Sequence, residues 1–237
     1  MTARHRALKR CERDKPMQRR PLLIRLVLRR LEKAYGKRPW RTSGRPLDIL
    51  IGTILSQNTN DRNSDAAMDR LCQALPDWNA AADAPLWQIA GAIRPAGLHR
   101  QKAAHIRTIL RRLRQERGTA DLGFIRRWPT RRIQDYLLAL PGVGPKTAAC
   151  VLLFSLRRPV LPVDTHIHRV SRRLGLIGPT TSAEKAHELL AAMVPPDKVY
   201  AFHVLMIAHG RRICHAQRPE HTACVLRDVC PSAHKRF

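Results

Sequence analysis

Carboxylates are scarce in this chain. Asp and Glu number 18 against 44 Lys and Arg, which leaves a formal net charge of +26 at pH 7 over 237 residues. A deficit of that size argues against an enzyme of neutral small molecules. It points to a polyanionic partner, because each duplex phosphate that is neutralised releases condensed counterions. A membrane surface, or an arginine content that merely follows genome composition, would be the competing explanations. Long apolar runs are missing too. None approaches the length of a bilayer span, and the N-terminus lacks the apolar core of a secretory signal. Glu12 and Asp14 count against an organelle presequence, so the expected location is the cytoplasm, in association with the nucleoid.

Strand signals are also absent: no alternating or β-branched run is long enough to suggest one, and no repeat recurs at a solenoid period. Apolar residues instead recur at helical spacing in residues 22–35, 47–55, 63–75, 86–93, 103–113, 133–140, 148–156, 165–174, 183–193 and 199–207. Proline and glycine breakers separate them. The expectation is an all-α protein with short connections. Residues 1–20 are basic without apolar periodicity and read as a flexible arm.

Two short stretches carry the chemistry. In the first, Leu140-Pro141-Gly142-Val143-Gly144-Pro145-Lys146-Thr147, two glycines allow a tight turn and leave no side chain between the main-chain amides and an approaching anion. Pro145 suits the first turn of the helix that follows, whose amides then face the loop and can hold a phosphate. Lys146 lies beside that positive end, which disfavours a second cation and favours a neutral amine able to attack carbon electrophiles. The second stretch, Pro162-Val163-Asp164-Thr165-His166, begins sixteen residues after Lys146 and offers Asp164 as a carboxylate for proton handling. Each piece has a plainer explanation. Gly-x-Gly before a helix is common, a lysine in a first turn is usually solvated, and Asp164 would make an ordinary N-cap.

Of the six cysteines, Cys214, Cys224 and Cys230 crowd the C-terminus, and in a reducing compartment they suggest metal ligation ahead of disulfides. Cys72 and Cys150 read as helix core residues, and Cys11 lies in the arm.

With these motifs the chain resembles the endonuclease III family of helix-hairpin-helix DNA glycosylases, from about Leu47 to Pro231. The resemblance rests on Ile54-Leu55-Ser56-Gln57-Asn58-Thr59-Asn60-Asp61, on Gly97-Leu98-His99 with Lys102-Ala103, on the hairpin through Ala149, and on Val163-Asp164-Thr165-His166-Ile167 with Arg169-Val170. It implies two helical domains flanking a DNA-binding cleft: a six-helix barrel over 44–158, and a second domain built from 21–43 and 159–237. The implied activity is excision of damaged bases, oxidised pyrimidines above all, with strand cleavage at the abasic site. Lys146 falls on the family's nucleophile and Asp164 on its catalytic aspartate. Gly142, Val143, Gly144 and Thr147 fall on the phosphate-binding hairpin, and His166 on the neighbouring DNA contact. Leu98 matches a wedge into the base stack and Asn58 a residue that fills the vacated gap. The family usually has glutamine at Asn58, whereas here the glutamine is Gln57; base identity is therefore left open. Pro145 replaces a position that is often basic, removing one amide donor.

The resemblance also implies a [4Fe-4S] cluster held by four cysteines spaced C-x6-C-x2-C-x5-C. That register gives Cys214, His221, Cys224 and Cys230, with an imidazole in place of the second thiolate. A cluster of raised potential, a Cys3His zinc site and no metal are all open on the residues alone. His215 is expected to be exposed. The expected partner is double-stranded DNA carrying a damaged base or abasic site, bound by a monomer. A helix-hairpin-helix module that binds DNA without chemistry, and a glycosylase for mismatched or alkylated bases, are the alternatives.

Overall fold

The computed structural model describes residues 20–233, and all but the last residue of the expected N-terminal arm lies outside them. The chain divides into two compact units, Arg41–Arg158 and a second formed by Met1–Trp40 with Pro159–Phe237. In chain order, α1 (residues 20–35) belongs to the discontinuous unit. The continuous unit holds α2 (Pro46–Leu55), α3 (Asp61–Ala74), α4 (Trp78–Asp83), α5 (Leu86–Ala92), α6 (His99–Arg117), α7 (Thr130–Leu138) and α8 (Pro145–Cys150). The discontinuous unit resumes with α9 (Thr165–Arg173), α10 (Ala183–Met193) and α11 (Val199–Arg212). Among the described residues there is no strand, in agreement with the helical periodicity. No single helix among them is long and apolar enough to cross a membrane.

The continuous unit is built around α2. Leu47, Leu50, Ile51, Ile54 and Leu55 are all buried, so α2 is enclosed on most sides, with α3 and α8 against it. Pro46 occupies its first turn and Asp48 faces its positive end. Helix α6 is the longest among the described residues. It presents Ile106, Ile109, Leu110 and Leu113 to α4 and α5, and stops where Gly118 adopts a left-handed conformation with its N–H bonded to Arg114 O at 2.7 Å. Helix α8 continues without a break into a π-helical turn, Val151–Ser155.

Helix α4 was not anticipated. Six residues are too few for a periodic signature, and it exists because Asp77 caps it, accepting from the amides of Asn79 and Ala80. Trp78 then folds inward and donates its indole N–H to Asp48 at 2.8 Å.

In the discontinuous unit, Ile24, Val27 and Leu31 of α1, Ile167 and Val170 of α9, Leu190 of α10, and Phe202, Leu205 and Met206 of α11 supply the buried surface. Asp164 starts α9 and Ser182 starts α10, each accepting a main-chain N–H. Phe202 is fully buried whereas Leu22 is 66% exposed. Phe202→Ala should therefore lower stability by about 3–5 kcal/mol in denaturant unfolding. Leu22→Ala should stay within about 0.5 kcal/mol. Equal losses would mean that α11 does not carry the core.

Candidate functional site

The hairpin between α7 and α8 is pinned from within. Leu140 and Val143 are buried, and the Val143 N–H returns to Leu140 O at 3.3 Å, closing the turn. Gly142 has φ +74 and lies against α6. A β-carbon there would come within 2.3 Å of His105 Nδ1. Glycine is thus required twice, for backbone conformation and for room. Gly144 is extended and precedes Pro145 at the first helical position. The main-chain N–H groups of Gly144, Lys146 and Thr147 have no backbone acceptor, which leaves donors at the start of α8 for an anion.

Lys146 is half-buried at that helix start, and its ammonium has no hydrogen-bond or ion-pair partner among the described residues. Thr147 is buried and accepts from Gln57 Nε2 at 3.3 Å; the same amide nitrogen donates to Gly142 O at 3.0 Å. Gln57 therefore braces the hairpin from the end of α2. Asn58, next in sequence, is exposed and left-handed at φ 53. Leu98 has the same character, with φ 47 and 53% of its surface exposed. Left-handed geometry costs a residue with a β-carbon about 1–2 kcal/mol, so neither loop relaxes there on its own.

In the discontinuous unit, Asp164 Oδ1 accepts the Ile167 N–H at 2.8 Å as the cap of α9. Its other carboxylate oxygen makes no hydrogen bond among the described residues. His166 packs over Gly210 of α11, where a β-carbon would be only 2.9 Å from its own. Its Nδ1 lies 3.1 Å from Arg169 Nη2, which also donates to Gly210 O at 2.8 Å. Burial, with Arg169 and Arg211 nearby, holds the imidazole below the usual histidine range despite Asp164. Lys146 and Asp164 belong to different units.

The C-terminal residues gather around one pocket, lined by Cys214, His221, Cys224, Cys230, His209 and Leu226 among others. Two features here were not foreseen from the sequence. Arg173 donates to Cys214 Sγ at 3.2 Å and to the carbonyls of His215 and Ala216, while Arg169 donates to Cys214 O. His209 is buried, with Nε2 3.7 Å from Cys224 Sγ and Nδ1 3.0 Å from the Tyr35 hydroxyl. Burial drives it down to about 4, so it stays neutral at physiological pH. His215 keeps 40% of its side chain exposed and pairs with Glu220.

Among the described residues no three His, Cys, Asp or Glu side chains converge closely enough to hold a single ion. Tetrahedral zinc, with each sulfur about 2.3 Å from the metal, would draw its ligands to within about 4 Å of each other. Burial also pushes the Cys224 and Cys230 thiols up from the ordinary range, so metal binding there has protons to displace.

Gly142→Ala should cost at least about 1 kcal/mol from backbone strain alone. It should also move the His105 ring, read as a chemical-shift change at His105 by NMR. An alanine variant as stable as the parent, with His105 unmoved, would contradict this packing.

The profile described as "HhH-GPD superfamily base excision DNA repair protein" matches residues 51–196. Endonuclease III of Thermotoga maritima is 34% identical over 217 residues, covering 90% of this chain and 95% of that protein. A solved non-covalent endonuclease III–DNA complex superposes with a TM-score of 0.79 at 28% identity, over 91% of this chain and 97% of that one. A trapped endonuclease III–DNA covalent intermediate gives 0.78 at 29% identity, over the same shares. The chain that carries this hairpin with unused amides, the lysine beside them and the capped aspartate on the next helix thus belongs to the HhH-GPD superfamily and, within it, to the endonuclease III family.

Proposed function

We propose that this base excision repair DNA glycosylase is also an abasic-site lyase, with Lys146 as nucleophile and Asp164 as its acid–base partner. One observation carries this reading: an unpaired lysine amine beside main-chain donors that have no other acceptor. The donors of Gly144 and Thr147 grip a phosphate and so fix the adjoining deoxyribose against Lys146 Nζ. The amine's lone pair forms a bond to C1′, and the base leaves with the electrons of the glycosidic bond and takes up a proton. The bound amine then loses a proton, and its lone pair opens the sugar ring by breaking the C1′–O4′ bond, with O4′ taking up a proton, to give the Schiff base; this acidifies C2′, and loss of the C2′ proton expels the 3′ phosphate by β-elimination. Asp164, with one oxygen held by the cap and the other unbonded, is suited to carry protons in these steps.

Leu98 and Asn58 are the proposed wedge and gap filler, both exposed on left-handed loops. Gln57 serves the DNA indirectly, by holding the hairpin. Oxidised pyrimidines are the proposed bases, in duplex DNA at the nucleoid.

The C-terminal pocket fits a [4Fe-4S] cluster better than a single zinc. Its three thiols and His221 surround one cavity without meeting at a point, and two arginines supply positive charge at Cys214. Cys214, His221, Cys224 and Cys230 would hold it. Bound there, it would cross-link the C-terminal loop through these four side chains and would supply no step of the amine chemistry.

Borohydride added to the protein with abasic duplex should trap a covalent complex that Lys146→Ala abolishes; absence of trapping by the parent would leave a DNA binder or a hydrolytic glycosylase. Asp164→Asn separates the two roles of that residue, because asparagine caps a helix as well as aspartate does. It should keep the parent's melting temperature yet lose at least about 100-fold in kcat. Elemental analysis should find about four irons per chain. One zinc, or no metal, would exclude the cluster.

A further inference from the structure

We propose that Lys102 is a positioning residue that sets the two loops carrying Asn58 and Leu98 in a common register for entry into the base stack. The side chain is 3% exposed, yet no carboxylate pairs with it among the described residues. Its ammonium donates instead to three main-chain carbonyls: Leu55 O at 2.8 Å, Gln57 O at 2.6 Å and Ala96 O at 2.9 Å. An ammonium has three protons, and each is used.

Which carbonyls these are gives the arrangement its meaning. Gln57 immediately precedes Asn58, and Ala96 precedes the Gly97-Leu98 pair. Asn58 and Leu98 are two of the four residues with β-carbons that take positive φ among the described residues. One buried cation therefore holds the base of both strained, exposed tips. The tie continues at both ends. Leu98 O accepts the Lys102 N–H at 2.9 Å, and the Gln57 side chain runs on to Gly142 O and Thr147 of the hairpin. All of these residues lie in the Arg41–Arg158 unit. A residue needed only to fill space at this point of α6 would be apolar, since burying a charge is unfavourable unless several hydrogen bonds satisfy it.

This inference rests on the reading of Asn58 and Leu98 as the tips that enter DNA, and its test has a readout that does not depend on catalysis. Lys102→Met keeps an unbranched side chain only one atom shorter and removes all of its side-chain donors. The probes are a fully paired duplex with one oxidised pyrimidine, the same lesion left unpaired in a single strand, and a duplex with 2-aminopurine opposite an abasic site. On the paired duplex, misplaced tips should reduce single-turnover excision by about 100-fold, the scale on which small misplacements act. On the unpaired lesion, which needs no unstacking, the loss should be at least about tenfold smaller. The rise in 2-aminopurine fluorescence on binding, which reports entry into the stack, should disappear while affinity for undamaged duplex is kept.

Equal losses on paired and unpaired lesions, or an unchanged fluorescence rise, would overturn the inference and leave Lys102 as a structural plug. Should the methionine variant not fold, Lys102→Arg decides with the same probes. Arginine keeps the charge but cannot match the three-way geometry, so the paired duplex should again suffer more than the unpaired lesion; parallel losses would reject the idea. A parent protein that gives the fluorescence rise but no borohydride trapping would instead count against Lys146 and leave this inference standing.

Discussion

Three carbonyl oxygens, two from the end of α2 and the turn after it and one from the turn before α6, converge on one ammonium inside the Arg41–Arg158 unit, and much of the local geometry is referred to that point. Taking a charge out of water costs several kcal/mol, which charge-assisted bonds to Leu55, Gln57 and Ala96 offset. Burial accordingly pulls the Lys102 ammonium below the ordinary lysine range. The helix that carries it also places His105 one turn further on, beneath Gly142. Helix α6 is thus a bench against which the Gln57–Asn58 loop, the Gly97–Leu98 loop and the glycine hairpin are all set.

The few carboxylates are placed in a way that leaves the positive field intact. Asp77 and Asp164 cap helices, and Asp48 receives both an indole N–H and Arg45. Asp83, Glu116 and Asp228 pair with Arg114, Arg112 and Arg30 near the surface, where solvent screening leaves such pairs with little effect on stability. Most of the arginine excess is left to face solvent and so to attract phosphates. In the C-terminal loop the same residue type does a different task. There Arg169 and Arg173 reach inward to main-chain carbonyls and to a cysteine sulfur, tying the loop to α9.

Helices were legible where two or more turns repeat an apolar face, as at 183–193, whose expected limits coincide with α10. They were least legible where a single side chain decides. Helix α4 depends on the Asp77 cap, and α6 begins at His99 rather than Ala103 because Leu98 takes a left-handed turn that no periodicity encodes. The glycines, Lys146 and Asp164 stood out by spacing. The working direction of a side chain did not: nothing local says that Gln57 turns to the hairpin while Asn58 faces solvent, or that Lys102 points inward from a helix otherwise rich in solvated cations. His209 and Arg173 escaped for the same reason, since their partners are distant in sequence.

The π-helical turn after α8 has a consequence of its own. Val151, Leu152 and Leu153 are all fully buried, and the Leu156 N–H reaches back five residues to Val151 O at 3.3 Å. A five-residue loop of this kind stores one surplus amino acid inside an otherwise regular rod. Removing that residue would let the turn close into ordinary α winding with the residues on either side of it kept in register, because the surplus is taken up within the wide turn itself. The chain from Leu156 to Arg158 leaves the helix from this widened turn and is tied back to it by the Arg158 N–H on Leu152 O at 2.8 Å.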